Sequence, residues 1–346
     1  MPPGRSGRES ASAGIQPRKE SSKASDSKEE FPINLGDRLD HYRFDAVVNR
    51  TSTTTTYRAT DLRSNQTVAI KLPQTDMEAD PGLTERFQRE EEISESLNHP
   101  GLLKAVRDAH RSKSYLVTEW FAGQPLRNLI DDLKKLPQER AIRITLSICA
   151  ALEYIHGRGI IHRNLRPENV LVGPGDHIKL VDFGVAAKEG STRLTFTNLT
   201  QLLGGSPYIS PEELTGRRGD ARSDIYALGM ILYEMLTGGL PFPGKDSFER
   251  LQNHPVPPRK LEPSISPQLQ EVIYRALERE HKNRYASAHE LALDLRHLDR
   301  VGVAERKEVL EWKKSSAAKS RRALLFTVMA LIPLLIFALL LYFSRK

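Results

Sequence analysis

Cysteine is almost absent from this sequence. The single cysteine, Cys149, excludes an intramolecular disulfide, and no grouping of Cys and His resembles a zinc site. Cys149 lies in an apolar run at residues 141–152, so we expect a packed thiol rather than a reactive one. This cysteine usage is compatible with a reducing compartment.

Apolar residues are nearly missing from the start of the chain. Residues 1–34 are rich in Ser, Gly, Pro, Lys and Glu, and such a segment cannot bury enough apolar surface to fold. We expect a disordered tail whose serines are candidates for phosphorylation. The segment also lacks the apolar core of a secretory signal peptide, so none is predicted.

A strongly basic surface is not indicated for the middle of the chain. The net charge is +7, but much of the excess of Lys and Arg lies toward the two ends. Binding of nucleic acid by a folded domain relies on clustered basic residues. We therefore predict no nucleic-acid partner.

One long apolar run is present, at residues 323–343. As a helix it would span roughly 30 Å, the thickness of bilayer hydrocarbon, and membrane helices tolerate a proline such as Pro333. A linker at residues 301–322 precedes the run and becomes basic, whereas only residues 344–346 follow it. The positive-inside rule predicts a single-pass membrane helix with the preceding domain on the cytoplasmic side.

Between these ends, residues 35–300 read as a folded α+β domain. Patterns of β-branched and apolar residues predict strands at residues 42–48, 53–61, 66–72 and 115–118. Helical spacing predicts helices at residues 83–97, 126–131, 138–156, 223–236, 268–279 and 287–298. The core-facing stripe of the 138–156 helix is predicted to be Ile142, Leu146, Cys149, Leu152 and Ile155.

Polar residues suited to phosphate chemistry are concentrated in residues 160–184. His162, Arg163 and Asn164 are followed by Asn169 and then by an Asp182-Phe183-Gly184 triplet. Asp182 offers a hard carboxylate oxygen to a divalent cation, and Asn169 offers an amide oxygen.

From about residue 42 to 298 the chain resembles a eukaryotic-like (Hanks-type) serine/threonine protein kinase of the kind found in bacteria. The resemblance rests on residues 68–71, 162–169, 182–184, 210–212 and 223–229 and on Arg284. It implies a two-lobed protein kinase fold, with a β-rich N-lobe that contains one helix and a helical C-lobe. It also implies ATP and Mg²⁺ as cofactors, Asp182 and Asn169 as the metal ligands, and proteins as substrates.

The catalytic loop departs from the kinase pattern H-R-D-x-x-x-x-N at one decisive position. Asn164 stands where the pattern has the proton-accepting Asp. An amide can orient a substrate hydroxyl by hydrogen bonding, but it cannot accept a proton near neutral pH. Arg166 replaces the usual Lys, which keeps the positive charge but exchanges a point charge for a planar fork.

The resemblance also assigns residues to the nucleotide. The implied nucleotide-binding residues are Lys71, Glu90, Ala69, Thr56, Glu119, Phe121 and Leu171. Lys71 would reach the phosphates and pair with Glu90, but Glu91 and Glu92 leave the register of that helix open by one residue. Thr118 would line the adenine pocket.

The glycine-rich loop of kinases has lost all its glycines here. Asn49, Thr51 and Thr54 occupy the three glycine positions. Glycine is used there because the backbone must approach phosphate closely in conformations that β-branched residues disfavour. We therefore expect weak binding of ATP.

The activation segment of the resemblance covers residues 185–209. Its candidate phosphorylation sites are Ser191, Thr192, Thr195, Thr197 and Thr200. Near the end of this segment, Gly205 stands at a position where such kinases usually have Thr, unless one residue of the kinase pattern is deleted here. The resemblance further implies that Asp224 braces the catalytic loop and that Arg284 pairs with Glu212.

Two functions remain open on the sequence alone. One is a pseudokinase, a membrane-tethered module that binds or presents a protein partner. The other is an active or weakly active ATP-dependent serine/threonine kinase. The loss of the base and of the loop glycines favours the first, whereas Lys71, Asn169 and Asp182 keep nucleotide binding open.

Overall fold

The structure is a computed structural model that describes residues 33–51, 53–74, 81–108, 110–188, 206–242 and 249–304. The predicted membrane segment, most of the linker before it, nearly all of the N-terminal tail, Gly205 and the candidate phosphorylation sites lie outside these ranges. Within the described ranges, no helix is both long enough and apolar enough to cross a membrane.

The N-terminal lobe is built on a five-stranded antiparallel sheet whose strands follow one another in chain order. They are β1 (Arg38–Leu39), β2 (Tyr42–Arg50), β3 (Thr54–Asp61), β4 (Gln66–Pro73) and β5 (Leu116–Glu119). Phe44, Tyr57, Ala59 and Ile70 are fully buried and pack together in the core of this lobe. The four predicted strands are confirmed. Strand β1 was not predicted, because two residues are too few to show a periodicity.

One helix, α1 (Pro81–Ser96), accompanies the sheet. It begins at a proline. Proline has no N–H to donate, and an N–H in the first helical turn would have no acceptor within the helix. Phe87 of α1 packs against Leu116 of β5, and both are buried. This contact holds α1 beside the sheet, with Glu90 buried between them.

The C-terminal lobe is helical. Its α-helices are α2 (Leu126–Leu133), α3 (Gln138–His156), α4 (Pro211–Leu214), α5 (Ala221–Thr237), α6 (Glu249–Gln252), α7 (Pro258–Leu261), α8 (Pro267–Ala276) and α9 (Ala288–Arg296). Helix α5 is buried along most of its length, and α3 and α8 pack on it. It ends at Gly238, whose φ of 74° and close approach to the Lys134 carbonyl both require glycine.

Two small sheets carry the loops of the candidate site. Strands β6 (Gln124–Pro125), β8 (Val170–Val172) and β9 (Ile178–Leu180) form one of them, and β7 (Ile160–Ile161) pairs with β10 (Ala187–Lys188) in the other. Residues 162–169 therefore run between β7 and β8, and residues 181–186 run between β9 and β10. The two sheets bring these segments to the same place.

The helices differ from the sequence prediction in several details, including three short helices, α4, α6 and α7, that were not predicted. In α3, Ile144 and Ile148 are fully buried, whereas the predicted Ile142 and Leu146 are only partly buried, because α3 meets both α5 and α9 and buries a broader face. The predicted 268–279 helix ends at Ala276. The chain turns there so that the next carbonyls can meet the guanidinium of a buried arginine.

That arginine is Arg284, and it forms the expected ion pair with Glu212. Its Nη1 and Nη2 donate to the two carboxylate oxygens of Glu212, each at 2.7 Å. It also donates to the carbonyls of Glu278 and Arg279 at 2.7 and 3.2 Å. Burial would raise the pKa of Glu212, but the hydrogen bond and charge of Arg284 lower it to about 2.

We expect Arg284→Met to destabilise the protein by about 3–5 kcal/mol, because it leaves the Glu212 carboxylate buried without its partner. Urea unfolding of the purified protein measures this. Arg143→Met is the matched control, since Arg143 pairs with Asp176 from an exposed position and should cost about 1 kcal/mol or less. Equal costs for the two changes would contradict a structural role for the Arg284 pair.

Candidate active site

The catalytic loop is held by one buried carboxylate at the start of α5. Asp224 accepts hydrogen bonds from the backbone N–H groups of His162 and Arg163, both at 2.9 Å, and from Nε2 of His156 at 2.8 Å. Arg163 has a φ of 61°, a left-handed conformation that costs free energy for a residue with a side chain. The expected bracing role of Asp224 is confirmed, and its hydrogen bonds offset that strain.

The segment at Asp182 is held in a similar way. Asp182 has a φ of 69°, and the preceding Val181 donates its N–H to the carbonyl of Asn169 at 3.1 Å. Phe183 is buried, with its ring centroid 5.0 Å from that of His162. Burial of Phe183 fixes the neighbouring Asp182 at the edge of the cleft.

Strand β4 and helix α1 meet at an ion pair. Nζ of Lys71 lies 2.7 and 2.6 Å from the two carboxylate oxygens of Glu90 and 3.6 Å from Oδ1 of Asp182. This geometry resolves the open register of α1 in favour of Glu90. Burial alone would lower the pKa of Lys71, but the carboxylates of Glu90 and Asp182 raise it, so the amine stays charged.

The amide of Asn164 is hydrogen-bonded to the carboxylate that the sequence assigns to metal. Its Nδ2 donates to Oδ2 of Asp182 at 2.7 Å. Nδ2 of Asn169 donates to the carbonyl of Asn164 at 2.8 Å and, more weakly, to the same oxygen of Asp182 at 3.4 Å. Burial would raise the pKa of Asp182, but Lys71 and other cations, together with the Asn164 hydrogen bond, hold it below its usual value.

The donor set at this point fits a Mg²⁺ ion held jointly with phosphate. Asp182 supplies a carboxylate, and the engaged Nδ2 of Asn169 leaves its amide oxygen for a cation. Mg²⁺ is commonly bound by one or two carboxylates plus substrate phosphates. No cluster of three or more His, Cys, Asp or Glu suited to a metal occurs among the described residues.

The turn between β2 and β3 binds its own backbone. Oγ1 of Thr51 accepts hydrogen bonds from the backbone N–H groups of Thr53 and Thr54 at 3.3 and 3.0 Å. The N–H of Thr51 donates to the carbonyl of Thr54 at 2.9 Å. Gln74 donates to the Thr51 carbonyl at 2.6 Å. Among the described residues of this turn, the N–H groups of Thr51, Thr53 and Thr54 are therefore already satisfied.

The register of the N-lobe sheet places two predicted nucleotide residues side by side. Thr56 lies directly opposite Lys71, and Ala69 lies opposite Thr118. Residues that are directly opposite in adjacent strands share one face of the sheet. Thr56, Ala69 and Lys71 consequently belong to the same face.

Other predicted residues are held by different partners. The Glu119 carboxylate accepts from Nζ of Lys179 at 2.6 Å and from the N–H of Lys104 at 3.1 Å. The Phe121 ring packs so closely on Gly123 and Gly173 that a Cβ at either glycine would come within 2.7 Å of it. Leu171 of β8 lies opposite Pro125 of β6 in the three-stranded sheet.

Arg166 does not join the cluster of Lys71, Asn164 and Asp182. Its Nε donates to Glu168 at 2.6 Å. Glu168 also accepts from Arg127 at 3.3 Å, and Arg127 reaches Glu234 at 2.8 Å. Sequence reasoning missed Arg127 because these partners lie 41 and 107 residues away and no local pattern connects them.

Comparison with known families agrees with this geometry. The protein kinase domain profile matches residues 42–294. The chain belongs to the protein kinase family. The curated relatives below confirm the expected group, the bacterial Hanks-type serine/threonine kinases.

A probable serine/threonine-protein kinase of Streptomyces coelicolor is 36% identical over 276 residues, covering 77% of this chain and 40% of that protein. The serine/threonine-protein kinase PknB of Mycolicibacterium smegmatis is 34% identical over 274 residues, covering 76% and 43%. The chain thus spans about two-fifths of the length of these relatives. The solved kinase domain of Mycobacterium tuberculosis PknI superposes with a TM-score of 0.61 at 24% identity, covering 77% of this chain and 99% of that one, which shows the fold.

One titratable group of this kinase domain stands out beside the catalytic loop. Glu213, in the first turn of α4, is buried, and its Oε2 accepts from the N–H and Oγ of Ser210 at 3.2 and 2.7 Å. Burial and the nearby carboxylates of Asp224 and Glu212 raise the pKa of Glu213 to about 7. The folded protein therefore binds a proton here that the unfolded chain, with a pKa of 4.5, has released.

Because the folded pKa is the higher one, stability should fall as the pH rises from about 4.5 to 7. Glu213→Gln, which cannot ionise, should remove this decline and be more stable than the natural protein at pH 8 by up to about 3 kcal/mol. Urea unfolding across this range measures it, with the exposed Glu139→Gln as control. Identical pH profiles for the natural protein and Glu213→Gln would contradict the raised pKa.

Proposed function

We propose that this protein is a membrane-anchored, kinase-like signalling protein of the pseudokinase type, which binds nucleotide weakly and acts as a binding or scaffold module for protein partners. The observation that carries the proposal is the hydrogen bond from Nδ2 of Asn164 to Oδ2 of Asp182 at 2.7 Å. The group at the base position cannot accept a proton, and its donor is engaged with the metal-binding carboxylate.

The chemistry that remains is binding and positioning. Lys71 and Asp182 are placed to face phosphate and its metal, and Asn169 would complete the metal ligands. When bound, Mg²⁺ would neutralise charge on the phosphates of ATP. Asn164 is placed to orient a hydroxyl through its amide oxygen, but the proton of that hydroxyl has no acceptor at this position.

The turn at Thr51 supports weak rather than tight nucleotide binding. A phosphate would have to displace the Thr51 hydroxyl from the N–H groups of Thr53 and Thr54 before it could use them. Each charge-assisted hydrogen bond to phosphate that is lost in this way forfeits roughly 1.5–3 kcal/mol. Sub-micromolar affinity for ATP is therefore not expected.

A weakly active serine/threonine kinase is the second candidate. It is favoured by the intact ion pair between Lys71 and Glu90 and by Asp182 within 3.6 Å of Lys71. Much of the catalysis of phosphoryl transfer is positioning and electrostatic stabilisation, which these residues still supply. Protein Ser and Thr side chains would be its substrates.

We propose the following organisation for the rest of the chain. A tail at residues 1–34 precedes the kinase-like domain at 35–300, and a basic linker at 301–322 leads to a membrane helix at 323–343. The support is the uncharged run itself and the excess of Lys and Arg on one side of it. The domain would then face the cytoplasm, with residues 344–346 on the other side.

Phosphotransfer should separate the two candidates. We compare the natural protein, Asn164→Asp, the triple variant Asn49→Gly, Thr51→Gly and Thr54→Gly, and the combination. We expect little gain from Asn164→Asp alone and a gain of about 10²–10⁴-fold only when both changes are present. The reason is that poor phosphate contacts disturb alignment before any proton moves. Transfer of labelled phosphate to a generic protein measures this.

Nucleotide binding to the same four proteins, with and without Mg²⁺, is the control. The glycine variants should bind ATP more tightly than their parents. A large gain in phosphotransfer from Asn164→Asp alone would refute the view that the loss of the loop glycines limits activity more than the loss of the base. Robust activity of the natural protein that Asp182→Ala abolishes would overturn the pseudokinase proposal.

Membrane fractionation tests the anchor. We expect the full chain to sediment with membranes and to resist extraction by salt, because the 323–343 run buries apolar area rather than charge in the bilayer. A chain that ends at residue 310 should stay in the supernatant. Recovery of the full chain in the soluble fraction without detergent would refute the proposed anchor.

A further inference from the structure

Gln74, the first residue after β4, holds the turn between β2 and β3 through two hydrogen bonds. Its Nε2 donates to the carbonyl of Thr51 at 2.6 Å, and its backbone N–H donates to the carbonyl of Thr53 at 2.9 Å. The backbone contact extends the pairing of β3 with β4 by one step, since Thr54 lies opposite Pro73. The side-chain contact reaches beyond that ladder and ties the turn itself to the end of β4.

A second set of contacts fixes the same turn from within. Oγ1 of Thr51 lies 3.1 Å from both the carbonyl oxygen and the Oγ1 of Thr54. The same oxygen accepts the N–H groups of Thr53 and Thr54. Thr54 is buried, so water competes little for its contacts and they are stronger than they would be in solvent. The turn is therefore held by the Thr51 hydroxyl on one side and by Gln74 on the other.

This turn lies next to the place where a phosphate would meet Lys71. Thr56 is directly opposite Lys71 in the sheet. At about 3.3 Å per residue, Thr54 is about 7 Å from Thr56 along β3, and Gln74 is about 10 Å beyond Lys71 along the other strand. Thr54 and Thr56 belong to the same face of the sheet, because side chains alternate along a strand. A nucleotide whose phosphates reach Lys71 therefore extends its outer phosphates toward the turn.

Use of the turn by a phosphate requires a change of its conformation. The N–H groups of Thr53 and Thr54 become available only when the Thr51 hydroxyl leaves them, and Gln74 opposes that movement by holding the Thr51 carbonyl. We propose that Gln74 is a positioning residue that keeps the turn in this internally bonded form, so that the site gains little affinity from the outer phosphates of a nucleotide. The inference rests on the proposed weak binding of ATP and names the residue that maintains it.

Nucleotide titration tests the effect on specificity. The full chain, kept in detergent, is titrated with ATP and with adenosine by isothermal titration calorimetry. Gln74→Ala should bind ATP about threefold to tenfold more tightly than the natural protein, the value of one neutral hydrogen bond, and adenosine within about twofold of it. Gln66→Ala is the matched control and should change neither affinity, since Gln66 is exposed at the opposite end of β4.

Hydrogen exchange tests the turn without any nucleotide. In Gln74→Ala the backbone amides of Thr53 and Thr54 should exchange several times faster, because conformations in which the Thr51 hydroxyl leaves them become more populated. Gln66→Ala should exchange at the natural rate. Thr51→Val removes the hydroxyl and should speed the same amides. Combined with Gln74→Ala, it should tighten ATP binding by more than the product of the two single factors, since either contact alone still holds the turn.

The outcomes separate this inference from the function on which it rests. Unchanged exchange at Thr53 and Thr54 in Gln74→Ala, or an equal change in affinity for ATP and for adenosine, overturns the proposal. If Gln74→Ala does not fold, Gln74→Met keeps the length of the side chain without its donor and should give the same results. Sub-micromolar binding of ATP by the natural protein would refute the proposed weak binding. The comparison of variants would still decide the role of Gln74.

Discussion

A single buried carboxylate, Asp224, fixes the backbone on which the candidate site depends. By accepting the N–H groups of His162 and Arg163, it holds Arg163 in a left-handed conformation and so sets the direction of the chain into Asn164. On the loop, the donors in these contacts are backbone N–H groups, so the contacts do not depend on the side chain at position 164. The kinase fold can therefore persist here while the catalytic group changes. Backbone N–H groups hold the loop in place, whereas the catalytic chemistry depends on the side chain at position 164.

The exchange at position 164 also changes the electrostatics of the cleft. With Asn164 the local charges are Lys71 against Glu90 and Asp182, and the amide adds a hydrogen bond to Asp182. An Asp at position 164 would add a third carboxylate beside Asp182, which would be unfavourable unless a divalent cation lay between them. Asn164 therefore avoids repulsion between two carboxylates in the absence of metal. The same repulsion would have favoured binding of Mg²⁺, so its absence is expected to lower the affinity for Mg²⁺.

Sequence reasoning succeeded where one local pattern carries the structure. Strand and helix positions followed from periodicity, and the pairs of Lys71 with Glu90 and of Arg284 with Glu212 followed from the kinase resemblance. It could not foresee contacts that depend on side-chain direction across distant segments. Whether the Asn164 amide turns to Asp182, and whether Arg127 reaches Glu234, is decided by packing between segments 18 and 107 residues apart, which no periodicity encodes.

These unforeseen contacts share a physical consequence. The Thr51 hydroxyl accepts N–H groups of its own turn, the Asn164 amide donates to Asp182, and Arg127 of α2 pairs with the carboxylate of Glu234. Each contact lowers the free energy of the protein without ligand, so a phosphate at the turn or a metal at Asp182 would bind only by displacing it. If nucleotide binding is as weak as we propose, the cause would be internal satisfaction of these polar groups rather than their loss. The proposed scaffold role would require such a surface, one that keeps its structure whether or not nucleotide is present.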